Sequence, residues 1–113
     1  MTISNALASV PVKDMRTSAK WYAQLFGRPP DSQPMPEVMQ WKFASGGEIQ
    51  VYKLAERAGR GSATLMVTDI DKQRAALEAM GSSVPDTIES AQYRVIMIKD
   101  PDGNSLAFSQ SLR

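Results

Sequence analysis

The chain has 113 residues, 42% hydrophobic and 22% charged, with a net charge of +1. That suits one soluble globular domain over 1–113, and it gives no basic field for nucleic acid or an anionic membrane. Cysteine and histidine are both absent, which excludes disulfides, thiolate zinc sites and a cysteine nucleophile, together with the commonest general base and metal ligand.

Leu7 to Val12 alternates as a strand, with Ala8, Val10 and Val12 on one face and Leu7, Ser9 and Pro11 on the other. Pro11 cannot donate to a ladder and points to a strand edge or end. Asp14 caps a helix that Gly27 closes, and Met15, Ala19, Tyr22, Leu25 and Phe26 form its apolar stripe beside Trp21. Arg28 to Glu37 is proline-rich and reads as a loop or a loosely extended edge segment. Val38 to Ala44 is expected as a strand, Ser45-Gly46-Gly47 as a turn, and Glu48 to Tyr52 as the returning strand. Ala55 to Gly61 is small, polar and glycine-bearing, hence a surface linker.

Ser62 to Val67 is a further strand, with Ala63, Leu65 and Val67 on one face. Asp69 caps a helix expected over Ile70 to Met80, with a stripe of Ile70, Ala76, Leu77 and Met80, and Gly81 closes it. Ser82 to Gln92 is a mixed loop with room for a short strand. The C-terminal part is a β-hairpin: Val95-Ile96-Met97-Ile98 leads into Asp100-Pro101-Asp102-Gly103, and Leu106-Ala107-Phe108 leads out. The first residues lack the layout of a signal peptide and no apolar run reaches membrane-spanning length, so a cytoplasmic protein is expected.

The same unit is written twice. Asp14 and Asp69 stand 55 residues apart, and the turn glycines Gly46 and Gly103 stand 57 apart. One such unit cannot bury its apolar face alone, whereas two side by side can. The expected fold is α+β: two tandem βαβββ modules, 1–54 and 62–113 joined by 55–61, forming a curled, mostly antiparallel sheet around a cavity.

Val12-Lys13-Asp14, Trp21-Tyr22 with Leu25-Phe26-Gly27, and Asp100-Pro101-Asp102-Gly103-Asn104 occur in this order and spacing. Together they resemble the vicinal oxygen chelate superfamily, which includes glyoxalase I, extradiol dioxygenases, fosfomycin-resistance enzymes and bleomycin-resistance proteins. The resemblance implies a cavity in which the enzymes hold one divalent metal. Its metal-ligand positions carry over to Leu7, Gln50, Ser62 and Ala107. Leu7 and Ala107 have no donor atom, so no metal and no cofactor is expected. Asp100 and Asp102 are accounted for by turn chemistry.

With Ala8, Val10, Val12, Ala63, Leu65 and Val67 under the helices, the opposite faces line the cavity. They carry Leu7 and Ser9, then Glu48, Gln50 and Tyr52, then Ser62, Thr64 and Met66, with Ser105, Ala107 and Ser109. This mixture of apolar, hydroxyl and amide groups suits a small organic ligand. Trp41 or Phe43 is expected to add a flat wall. The resemblance to bleomycin-resistance proteins implies a metal-free homodimer that sequesters or carries a small aromatic or amphipathic molecule, with sites near the subunit boundary. The alternative is a superfamily enzyme acting without the usual metal ligands, in which Glu48 is the candidate acid or base and Tyr52, Tyr93 and Arg94 assist.

Overall fold

Both helices start where a carboxylate can satisfy the backbone donors that a first helical turn leaves unpaired. In the computed structural model, which describes residues 2–113, Asp14 accepts from the N–H of Arg16 and Thr17, and Asp69 accepts from Lys72. Helix α1 runs Met15–Phe26 and stops at Gly27, whose left-handed backbone (φ 72°) turns the chain back. Helix α2 runs Ile70–Ala79, one residue short of expectation. Its buried stripe is Ile70 and Leu77 with Met80 packed at the side. Ala76, expected in that stripe, is exposed.

Around α1 lie β1 (Leu7–Val12), β2 (Ser32–Met35), β3 (Val38–Lys42) and β4 (Glu48–Lys53), in the sheet order β1-β4-β3-β2. Around α2 lie β5 (Ser62–Met66), β6 (Ile88–Glu89), β7 (Tyr93–Lys99) and β8 (Ser105–Ser111), in the order β5-β8-β7-β6. The two halves repeat one βαβββ plan, as the 55- and 57-residue offsets require. In each, the first and last strands pair in parallel and the remaining pairs are antiparallel. β3 and β5 each end one residue or more before the expected limit, at Lys42 and Met66. The proline-rich segment supplies β2 at a sheet edge, with an irregular register against β3, where a missing ladder donor is tolerated. The linker carries one 3₁₀ turn at Ala55–Arg57.

The core lies between each sheet and its helix. Val10, Val12, Ile49 and Val51 are buried in the first half, and Ala63, Ile96, Ile98, Leu106 and Phe108 in the second. Trp41 sits under α1, its ring centroid 6.2 Å from that of Tyr22 and 5.2 Å from that of Phe26. Strands β1 and β5 are edges of separate sheets and touch without a shared ladder.

The join between the halves is instead made by the turn after β7. Asp100 is 5% exposed, and its carboxylate accepts from Tyr22 Oη at 2.7 Å, Asn104 Nδ2 at 2.8 Å and the N–H groups of Asp102 (3.0 Å) and Asn104 (2.8 Å). Asn104 Nδ2 also donates to the Pro11 carbonyl at 2.7 Å, and Asn104 Oδ1 accepts from the Gly61 N–H at 2.8 Å. Asp102 accepts from the Lys13 N–H at 3.2 Å. The backbone approaches so closely here that a Cβ on Gly61 would stand 2.6 Å from Pro11 Cδ and 3.1 Å from Asn104 Oδ1. Asp100 and Asp102 are therefore more than turn residues: they clasp the second module to the first.

Burial, and then the hydrogen bond to Asp100, push the Tyr22 phenol well above the usual tyrosine value. Such a shift gives stability that is present below the unfolded tyrosine pKa of about 10 and is lost as pH rises past it. The unfolding free energy is expected to fall above that pH by up to about 1.4 kcal/mol per pH unit from this group. Tyr22→Phe is expected to cost about 1–3 kcal/mol at neutral pH and to remove this component of the alkaline decline. Urea unfolding from neutral to strongly alkaline pH checks both; equal alkaline slopes in the two proteins would refute the role of Tyr22.

Candidate functional site

The sheet faces turned away from the helices carry the groups singled out in the sequence, and the strand register sets their neighbours. On the first sheet Leu7, Glu48 and Lys42 share a row. The next row is Ser9, Gln50, Gln40 and Ser32. In it Ser9 Oγ donates to Gln50 Oε1 and Ser32 Oγ to Gln40 Oε1, each at 3.2 Å. Tyr52 lies between Pro11 and Val38 in the third. On the second sheet the rows are Ser62–Ser105–Lys99, Thr64–Ala107–Met97 and Met66–Ser109–Val95, and Lys99 Nζ donates to Ser105 Oγ at 2.8 Å.

Within one chain these faces stand open. Leu7 is 41% exposed, Met66 66% and Met97 48%, all on the side without a helix.

Several expected positions are revised by the structure. Trp41 is not a cavity wall: it is fully buried on the helix side, its Nε1 donating to the Arg28 carbonyl at 3.1 Å. Phe43 also lies on that side, edge-on to Phe26 at 5.5 Å. The cause is strand parity, since Trp41 pairs with Ile49 and so shares its inward direction. Arg94 does not join Glu48 either; it bonds Asp71 at 3.2 Å and Glu89 at 2.9 Å, and the Asp71 bond comes first among the causes that raise its pKa. Tyr93 stands at the far end of β7 opposite Ser111. Glu48 is half-buried and accepts from Asn5 Nδ2 at 3.3 Å.

The positions that would hold a divalent metal do not fit one. Leu7 and Ala107 offer carbon alone, Ser62 a neutral hydroxyl, and the Gln50 amide oxygen already accepts from Ser9. A divalent ion takes about four to six good ligands, with charged oxygens for the hard ions. Among the described residues no three Asp or Glu side chains cluster to replace them.

The Asp100 clasp is the feature that sequence reasoning missed. Its signal was present in Tyr22, a stripe residue whose hydroxyl needs a partner once its ring is buried. The partner is 78 positions away, beyond the reach of any local pattern.

The glyoxalase-like domain family matches residues 7–109. The fold is similar to that of a glyoxalase/bleomycin resistance protein from Catenulispora acidiphila, with a TM-score of 0.84 at 28% identity over 96% of this chain and 98% of that one. An antibiotic binding protein from a Streptomyces species also superimposes with a TM-score of 0.84, at 25% identity over 98% of each chain. A lactoylglutathione lyase from Agrobacterium tumefaciens shares the fold alone, with a TM-score of 0.78 at 16% identity over 97% of this chain and 94% of that one. No curated sequence matches the chain. The repeated βαβββ plan, the closing Asp-Pro-Asp-Gly-Asn turn and a match from Leu7 to Ser109 agree, and the chain belongs to the glyoxalase-like domain family of the vicinal oxygen chelate superfamily.

Proposed function

We propose that this protein is a metal-independent binder of a small aromatic or amphipathic molecule, and that two chains close their open sheet faces over it. The observation that carries this reading is the chemistry of the open face. It has lost donors at Leu7 and Ala107 while keeping exposed Leu7, Met66 and Met97 beside Ser9, Gln50 and Thr64. Such a surface can shelter a flat apolar body and hydrogen-bond its polar edge, and its family metal positions cannot hold the ion that would polarise a substrate. The antibiotic binding relative supports the same class of activity. Glu48 is the one carboxylate on the strands of the first open face, and its bond to Asn5 ties it to the adjoining turn.

Native mass spectrometry with the neutral planar probe N-phenyl-1-naphthylamine tests this. A dimer that takes up the probe without a metal is expected, and Ala107→Trp is expected to weaken one class of probe site at least tenfold. A strictly monomeric protein that takes up no probe on this face would overturn the reading, as would a stoichiometric metal retained through buffer exchange. Treatment with a chelator is expected to leave the thermal midpoint unchanged, since among the described residues no three Asp or Glu side chains cluster to hold an ion.

A further inference from the structure

The repeat makes the two ends of the β1–β5 seam equivalent, yet the structure closes them differently. At one end Asp100, Asn104, Tyr22 and Pro11 form the clasp. At the other, the repeat offsets place Phe43 where Asp100 stands, Gly47 where Asn104 stands and Leu77 where Tyr22 stands. None of these side chains can make the hydrogen bonds that tie the first end together. A cavity of about 570 Å³ lies there instead, lined from both modules.

We infer that this cavity is a second ligand site, on the helix side of the sheets, for an uncharged planar aromatic molecule. Its apolar walls are Phe26 and Phe43 from the first module and Leu65 and Phe108 from the second. Phe26, Phe43 and Leu65 are half-buried, whereas Val10, Ile49 and Leu106 in the same layer are fully covered. The difference is the surface that a ligand would cover. The volume falls within the roughly 300–1,000 Å³ typical of small-molecule sites.

Charge at the site disfavours an anionic ligand, because the Arg28 cation is already paired while the Glu48 carboxylate has only the neutral Asn5 amide beside it. The Arg28 guanidinium lies 5.9 Å from the Phe43 ring centroid and is already committed to Asp31 at 3.0 Å and to the Lys42 carbonyl. Glu48 is held by Asn5 at 3.3 Å. The lining contains one neutral amide side chain, Gln73, half-buried on α2, which can donate to or accept from one polar group on the ligand's edge. A flat ring system between the phenylalanines, with a single hydrogen-bonding group toward Gln73, matches the apolar walls and the amide of the lining.

Thr64 and Met66, on the edge strand β5, border both this cavity and the open face, but Ala107 does not line the cavity, so a substitution at Ala107 separates the two sites. The probe is again N-phenyl-1-naphthylamine, a neutral fused ring with one N–H, followed by its fluorescence. In Ala107→Trp, one equivalent of probe per chain is expected to bind with unchanged affinity. Adding Gln73→Trp, which fills the cavity from the helix surface, is expected to weaken that equivalent at least tenfold. Gln73→Leu, which keeps the bulk and removes the amide, is expected to weaken it severalfold. If Gln73→Trp proves misfolded by circular dichroism, Ala44→Trp fills the cavity from the exposed turn and carries the same expectation. Unchanged binding in a folded cavity-filling variant overturns the site. So does a shift in oligomeric state caused by Gln73→Trp, which would make the cavity a subunit contact.

Discussion

Replacing Asp100 by alanine is expected to lower the stability of this protein by about 3–5 kcal/mol, because one change strands several buried donors at once. The carboxylate receives four hydrogen bonds, two from the side chains of Tyr22 and Asn104 and two from turn N–H groups. The backbone donors can recover water once the turn loosens. Tyr22 Oη loses its partner and Asn104 Nδ2 loses one of its two, keeping the bond to the Pro11 carbonyl. Both residues are fully buried, and each unsatisfied N–H or O–H costs about 1–3 kcal/mol. A domain of this size holds about 5–15 kcal/mol in total, so the variant is expected to be marginal at 37 °C. The loss is also expected to be directional. Asn104 bonds the Pro11 carbonyl, and β1 and β5 share no ladder, so the clasp is the main polar tie across the seam. Hydrogen exchange is then expected to rise first at the ends of β1 and β5. Asp102→Ala is the control, since that carboxylate is half-exposed and accepts one 3.2 Å bond from Lys13. Equal destabilisation of the two variants in urea would refute the clasp.

Trp41→Ala is expected to cost a comparable amount, about 3–5 kcal/mol, for a different reason. The indole is fully buried between Tyr22 and Phe26, and its removal leaves a void that the surrounding rings can fill only in part. It also orphans the Arg28 carbonyl, which accepts from Trp41 Nε1. Trp41→Phe keeps most of the apolar volume and loses that bond, so it is expected to cost less than half as much as alanine. Unfolding followed by far-ultraviolet circular dichroism distinguishes the two variants without relying on the removed fluorophore. A loss below about 1.5 kcal/mol for Trp41→Ala would mean that the tryptophan is not a core residue. That outcome would reopen it as a ligand wall.

These two residues also show where local reasoning stops. Trp41 and Phe43 alternate in a strand, and alternation establishes that they share a face without saying which face is covered. The pairing of Trp41 with Ile49 decides it, because Ile49 is already committed to the helix side. Arg94 illustrates the same limit. It was a candidate helper for Glu48, yet its parity with Ile96 and Ile98 turns it toward Asp71 on α2. Where an element's own side chain made the structure, the outcome was legible: Asp14 and Asp69 cap their helices by bonds to residues two or three positions on.

The amino-acid sequence by itself determined the family and the plan: two βαβββ units, their capping aspartates, their turn glycines, and the lack of metal donors at Leu7 and Ala107. These are properties of residue type and of spacing within one element or one repeat, and so they need no knowledge of what folds against what. Tertiary structure alone decided the use of the Asp-Pro-Asp-Gly-Asn turn. Its carboxylate meets Tyr22 across 78 positions of chain and its asparagine meets Pro11 across 93, through bonds that a repeat of identical turns would have formed twice. The first turn lacks those side chains, so one end of the seam is tied and the other is left as a cavity.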